Sequence, residues 1–280
     1  MEKSIKKYFP VFALPTLAAF SIGFLVPFIM GIYLSFCNFT TVTNAKFVGL
    51  ANYAAVFNDG GFLHALGFTV LFTIVSVLTI NVFAFTVSML LTRKMKGTNL
   101  FRTVFFMPNL IRGIVLGYIW QLILNGILGY FDKTLTFSAT YGFWGLVVLM
   151  NWQQIGYMMV IYIAGIQNIP GDVMETAKID GANKWQILKS ITIPMVMPSI
   201  TICSFLTLTN GFKLFDQNLA LTAGAPSNNS EMLALNIYNT FYGRTGWEGV
   251  GQAKAVLFFI MVAAIAMIQL RATRSKEVQQ

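Results

Sequence analysis

Six stretches of the chain run for about twenty residues or more with very few charges, each long enough to carry a helix across the roughly 30 Å hydrocarbon core of a bilayer. They extend approximately from Phe9 to Phe36, Gly67 to Leu91, Val104 to Leu124, Gly142 to Gln167, Met195 to Phe215 and Val250 to Leu270. Lipid offers no partner to a backbone N–H or C=O, so each stretch must satisfy its own groups as a helix. With 56% of residues hydrophobic, 10% charged and a mean hydropathy of +0.68, no ordinary water-facing surface is available. The predicted fold is an all-α integral membrane protein, a single domain over residues 1–280 built as a six-helix transmembrane bundle.

The net charge of +9 could point to nucleic acid, but the basic residues form short clusters between apolar runs and never a long basic face. They read instead as topology signals, because positively charged segments stay on the cytoplasmic side. One side holds Lys3, Lys6 and Lys7, then Arg93, Lys94, Lys96 and Arg102, then Lys178, Lys184 and Lys189, and finally Arg271, Arg274 and Lys276. The opposite loops offer Lys46, Lys133 and Arg244. Both termini and the segment from Asn168 to Ser190 are therefore expected inside, with Asn38 to Leu66 and Asp216 to Gly249 as the largest outward loops. The basic start followed by apolar sequence imitates a signal peptide, yet the run from Tyr8 to Phe36 outlasts an ordinary signal core and is read as a retained first span. Cys37 and Cys203 give neither a disulfide framework nor metal-ligand spacing. A lone His64, expected in a loop, argues against a zinc site or a histidine-based relay.

Between the fourth and fifth spans lies a cytoplasmic segment, residues 168–194, that reads as two short helices around a bend. Pro170 stops the preceding span, and Asp172 with Glu175 has the spacing of an acidic capping box. Gly181 permits a tight turn, after which Lys184 to Ser190 forms a second piece ending near Pro194. Val173 and Ala177 share a face, and the small Ala177 lets another surface approach closely. By geometry alone this is either a capped, solvated connection or a docking knob.

Glu175, Thr176 and Ala177, three residues, Gly181, nine residues, then Ile191-Thr-Ile-Pro194 resembles the signature of permease subunits of binding-protein-dependent ABC importers, written Glu-Ala-Ala, three residues, Gly, nine residues, Ile-x-Leu-Pro. Thr176 for alanine and Ile193 for leucine are the two departures. Phe47 to Tyr53, Phe101 to Pro108, Phe212 to Asp216 and Leu221 to Pro226 are similar to segments of the carbohydrate importers, most of all the maltose and glycerol-phosphate type. That resemblance implies a cytoplasmic coupling helix between helices 4 and 5 that docks on an ATPase through Asp172, Glu175, Thr176, Ala177, Asp180 and Gly181. Glu175 would pair with a basic ATPase residue, Gly181 would supply the bend, and Asp180 would brace the loop. It further implies alternating access, a second and different permease subunit, two ATPase subunits that bind ATP and Mg, and an extracytoplasmic solute-binding protein. The location implied is the bacterial inner membrane. No Gly-x-x-x-x-Gly-Lys-Ser/Thr run occurs, so the chain itself has no phosphate-cradling loop and is expected to be a transport subunit without a cofactor of its own.

Polar side chains inside the spans mark either a packing seam or a solute pathway, because lipid gives them no partner. Tyr118, Gln121 and Asn125 cluster on one face of the third span, and Asn151, Gln154, Met158 and Tyr162 on one face of the fourth. Thr207, Asn210 and Lys213 share a third of the fifth helix's circumference. A neutral, amide-rich and aromatic lining suits a polyhydroxylated solute better than an ion. Lys213 and Asp216, at the outer end of the fifth span, either gate the pathway or pair with each other at i and i+3, the pairing being favoured, while Arg112 either snorkels or lines the pathway. The alternative, an ion-coupled secondary transporter, is disfavoured because no Asp or Glu lies within the six stretches.

Overall fold

The computed structural model describes residues 2–93 and 96–274. The topology signals at Lys94 and Lys276, and the side chains of Lys3, Lys6, Lys7 and Arg274, lie outside the described residues. In chain order come α1 (Glu2–Phe20), α2 (Val26–Leu34), a hairpin of β1 (Cys37–Asn38) with β2 (Lys46–Phe47), α3 (Ala51–Asn58), α4 (Gly60–Leu91) and α5 (Thr98–Phe106). There follow α6 (Gly113–Gly129), α7 (Ala139–Gln167), α8 (Gly171–Ile179), α9 (Lys184–Ile187), α10 (Ile193–Met195), α11 (Met197–Phe212), α12 (Asp216–Leu221), α13 (Leu233–Gly243) and α14 (Glu248–Arg274). The fold is an all-α membrane protein.

Among the described residues four helices are long and apolar enough to cross a membrane, namely Phe9–Leu34, Gly60–Leu91, Ala139–Gln167 and Glu248–Thr273. The other two predicted spans are broken. Thr98–Leu110 and Gly113–Gly129 meet at 102°, and Lys184–Met195 and Met197–Phe212 at 68°, so six crossings result only if each bent pair counts as one. Proline explains both breaks, since it removes a backbone donor and crowds the preceding turn. Pro108 sits in a 3-10 turn, Met107–Leu110, that is followed by the extended residues Ile111 and Arg112, and Pro194 and Pro198 flank the second bend. The second span also starts earlier than predicted, at Gly60, which puts His64 on α4 and not in a loop; its Nε2 lies 3.1 Å from the Asn229 carbonyl oxygen.

The chain divides into two compact units. The first comprises Met1–Phe62 with Ile237–Ile260. In it the segment Phe47 to Tyr53 acts as a staple on the end of α2. A helix end leaves carbonyls without partners, and the Asn52 amide donates to the Ser35 and Cys37 carbonyls at 2.9 Å each, while the Tyr53 and Ser35 hydroxyls lie 2.6 Å apart. Within this unit Lys254, a charge inside the sixth apolar stretch, is fully buried. Its ammonium donates to Asp59 Oδ2 at 2.7 Å and Thr240 Oγ1 at 2.6 Å, and stands 5.5 Å from the Phe62 ring centre. Arg244 approaches the same carboxylate at 3.5 Å, and Asp59 Oδ1 accepts from the Gly61 N–H at the start of α4. One carboxylate thus holds α3, α4, α13 and α14 together.

The second unit comprises Leu63–Asn236 with Met261–Gln280. Its axis is α7, which is apolar all round and therefore belongs in a core; 61% of its most apolar window is buried, against 28% for α4. Leu146, Leu149, Met150, Met158, Met159 and Tyr162 on α7 are almost completely enclosed. The Leu221 to Pro226 segment closes into a turn around Asn218, whose amide donates to the Ser230 carbonyl at 2.9 Å while its oxygen accepts from the Met232 N–H at 2.9 Å.

Partial burial raises the Asp59 pKa, but the Lys254 hydrogen bond and charge, the Gly61 N–H and Arg244 together outweigh it and hold the carboxyl below its ordinary 3.8. Removing one partner of a buried pair costs about 3–5 kcal/mol. Asp59→Asn is therefore expected to lower stability by that order in detergent-titrated unfolding, and Lys254→Met in the same chain to recover most of it. Because the folded-state pKa is depressed, the stabilisation is complete above pH 3.8 and is lost as pH falls through the lower folded value. The Asp59→Asn chain should show no such acid-dependent loss.

Candidate functional site

The segment between α7 and α11 is built as an exposed elbow. Helix α8 runs from Gly171 to Ile179, and its predicted cap does not form: the helix begins at Gly171 after Pro170, so Asp172 already lies inside the first turn and makes no side-chain cap bond. Its carbonyl instead accepts from the Thr176 hydroxyl at 2.9 Å. The C-terminus closes in a Schellman motif. Ala182 N–H donates to the Ala177 carbonyl at 2.9 Å and Gly181 N–H to the Lys178 carbonyl at 3.1 Å, with Gly181 at φ +77°, a left-handed conformation that costs any residue with a Cβ.

A capping box then starts α9. Asn183 Oδ1 accepts from the Trp185 and Gln186 N–H groups at 3.0 and 2.9 Å, and Gln186 Oε1 accepts from the Asn183 N–H at 2.7 Å. Asn183 followed three residues later by Gln186 was a legible signal that the sequence reading passed over. Ala177 is buried, whereas Asp172, Glu175, Thr176 and Asp180 are exposed. Two large apolar side chains stand beside them in the open: Ile179 is 85% exposed and Trp185 69%.

The predicted pathway residues fall into two groups. In the first, hydrogen bonds join α4, α7 and α11. Tyr162 OH donates to Asn81 Oδ1 at 2.7 Å, and Asn81 Nδ2 donates to Thr207 Oγ1 at 3.0 Å. Asn151 Nδ2 donates to Thr79 Oγ1 at 2.9 Å, and Asn210 Nδ2 to Gln154 Oε1 at 3.3 Å. Tyr162, Thr207 and Gln154 are buried, so these side chains are engaged in holding the bundle together. Gln121 and Asn125 make equally local contacts, to the Leu221 carbonyl and from the Leu135 N–H. Asn81 organises the seam yet escaped the sequence reading, which surveyed amides only in the third to fifth spans.

The second group faces outward. Tyr118 is 58% exposed, and Lys213 and Asp216 are exposed without forming the predicted pair, because α11 ends at Phe212 and three residues of non-helical chain separate it from α12. Asp59 forms ion pairs with Lys254 and Arg244. Gln153, also unforeseen, donates to the Ile111 carbonyl at 3.3 Å and accepts from Gln217 Nε2 at 2.9 Å, which ties together the breaks that precede α6 and α12. Trp120 and Trp152 stack edge to face at 5.6 Å beside this junction.

Residues 87–274 match the family described as the binding-protein-dependent transport system inner membrane component. The chain belongs to that family. Members of this family are transport subunits and not enzymes, and the span matched includes the elbow and the junction. The chain is 44% identical to the probable starch degradation products transport system permease protein AmyD of Thermoanaerobacterium thermosulfurigenes over 96% of its own length and 94% of that protein's. It is 29% identical to the multiple sugar-binding transport system permease protein MsmF of Streptococcus mutans over 99% of both. Its fold is similar to that of a chain in the crystal structure of a bacterial alginate ABC transporter in complex with alginate pentasaccharide-bound periplasmic protein. The TM-score is 0.80 at 18% identity, covering 98% of this chain and 96% of that one.

Interhelical hydrogen bonds in membranes contribute about 0.6 kcal/mol on average and up to roughly 1.7. Asn81→Leu removes two of them and is expected to lower stability by about 1–2 kcal/mol in detergent-titrated unfolding. Tyr162→Phe, which removes one, should cost about half as much.

Proposed function

We propose that this chain is the membrane-spanning subunit of an ATP-driven importer for a carbohydrate delivered by an external binding protein. The elbow carries this reading: a short helix closed at one end, a bend, and a capped second helix, with Ile179 and Trp185 in the open. Large apolar side chains so exposed beside charged ones form the kind of anchor that fills a pocket on a partner. On this reading α8 seats in a groove of an ATPase subunit, with Asp172, Glu175, Thr176 and Asp180 at its polar rim and Gly181 fixing the bend, while Ala177, buried within the chain, offers the partner little surface of its own. ATP and Mg belong to that partner, one ATPase for each of two different permease subunits. Both termini face the cytoplasm, and the membrane is the bacterial inner membrane.

The carbohydrate assignment draws on the relatives, whose names specify starch degradation products and multiple sugars. The amide-rich and aromatic surroundings of Gln153, Tyr118, Trp120 and Trp152 support it. ATP shifts the transporter between inward-open and outward-open states only so far as it binds the closed ATPase better than the open one, and the docked elbow passes on that preference.

Purification in mild detergent with co-expressed partners should recover the ATPase and a second permease with the wild-type chain. Glu175→Lys, Ile179→Asp and Gly181→Val are each expected to insert normally and yet cut carbohydrate uptake by tenfold or more. ATP hydrolysis should then no longer respond to the loaded binding protein. Undiminished uptake in all three variants would remove the docking role.

A further inference from the structure

Three charged side chains lie on the surface of the second unit at a depth where lipid cannot cover them. Helix α7 has 29 residues, about 43 Å at 1.5 Å each, against roughly 30 Å of hydrocarbon. Gln153 is its central residue, so however α7 is slid along the membrane normal this level stays about 8 Å or more inside the hydrocarbon. Gln153 bonds the Ile111 carbonyl on one side and Gln217 on the other, and its neighbour Gln154 bonds Asn210. The contacts at Asn210 and Gln217 bracket Lys213 and Asp216. The contact at Ile111 fixes Arg112 at the same level.

The two breaks also meet directly. A Cβ on Gly113 would stand 2.8 Å from Asp216 Cβ and 2.9 Å from Gln217 Cδ, and one on Gly117 would stand 2.6 Å from Ala220 Cβ. Only glycine lets α12 seat this closely against the start of α6. Arg112 is extended and caps α6 without a side-chain cap bond, and Arg112, Lys213 and Asp216 are all exposed. Non-helical backbone and ionised side chains at this depth require protein or water around them. Paired broken helices are the form in which membrane transporters present such groups to a solute.

We infer that the junction of the two broken spans is a water-lined solute contact, with Arg112 and Lys213 as donors, Asp216 as acceptor and Tyr118 as a ring face. A mixed set of donors and acceptor suits hydroxyls, which both give and accept hydrogen bonds, so the ligand is a neutral polyhydroxylated solute. A carboxylate can accept from two adjacent hydroxyls at once. This rests on the importer reading and adds the position and residues of the contact. Lys213 and Asp216 follow Phe212, the last residue of the fifth span's helical pair, and sit at the level of Gln153 and Gln154.

The test uses the assembled importer in membrane vesicles, with the buried Cys37 and Cys203 changed to serine. Arg112→Cys, Lys213→Cys and Asp216→Cys are each treated with a charged, water-borne thiol reagent. Ile22→Cys, near the middle of the first span and 74% exposed, is the lipid-facing control. The three junction thiols are expected to react at least tenfold faster than the control, and maltotriose supplied with the importer's binding protein to slow them several-fold. Rates no faster than Ile22→Cys overturn the water-lined junction. Absence of protection in vesicles that still accumulate maltotriose overturns the solute contact. Failure of the unsubstituted importer to accumulate any carbohydrate removes the carbohydrate reading, and the labelling rates still decide whether the junction is wet. As an independent readout, Asp216→Asn should raise the half-saturating maltotriose concentration at least fivefold. A change confined to the maximal rate overturns direct contact.

Discussion

A polar group that enters hydrocarbon must find its partner inside the protein or in water carried there by it. Most of the architecture described above follows from that constraint. Lys254 sits within the last apolar stretch because Asp59 and Thr240 reach it at hydrogen-bond distance. Asn81 occupies the second span because Tyr162 and Thr207 take both ends of its amide. The breaks before α6 and α12 persist because Gln153 accepts one amide and caps one carbonyl from the middle of α7. Each of these polar residues is thereby a statement about which helices stand together.

The same constraint separates packing groups from groups available for transport. An amide already engaged across helices has less left to offer a passing solute, and most of the residues foreseen as a pathway are engaged in this way. Arg112, Lys213 and Asp216 are the opposite case, exposed at mid-depth and engaged in none of the ion pairs among the described residues. Hydropathy alone treats Asn81 and Lys213 alike, as polar intrusions in an apolar run. What distinguishes them is whether a neighbouring helix supplies a partner.

Length and apolarity made the helical membrane class readable directly from residues, and basic clusters marked an orientation. Gly181 was readable as a bend because left-handed backbone demands it. Other features depend on neighbours that a linear reading cannot supply. Asp172 has capping spacing toward Glu175, but Pro170 starts the helix early enough to place Asp172 inside it. Lys213 and Asp216 have helical spacing, but α11 stops at Phe212 and α12 begins only at Asp216. Pro108 makes a break possible, but a proline equally permits a kink or a turn, and the close packing of Gly113 against α12 accompanies the 102° break seen here. Lys254 was overlooked because a single lysine barely lowers the hydropathy of its stretch.

Force can pass from a partner into the bundle only through an element stiffer than its surroundings, and the elbow meets that condition locally. The Schellman closure of α8 and the capping box of α9 satisfy the groups that would otherwise fray at the bend, each at about 1 kcal/mol or somewhat less. Neither closure needs a contact from the bilayer or from a partner, so the elbow keeps its shape whether docked or free. The chain that leaves it runs into Met197–Phe212 through the 68° bend, and the chain that enters it is α7, the most buried span of its unit. Those two helices are joined by the Asn210–Gln154 bond and, through Asn81, by Tyr162 and Thr207. A displacement of the elbow therefore acts on α7 and α11 together, and the level at which it acts includes the junction where Arg112, Lys213 and Asp216 are exposed.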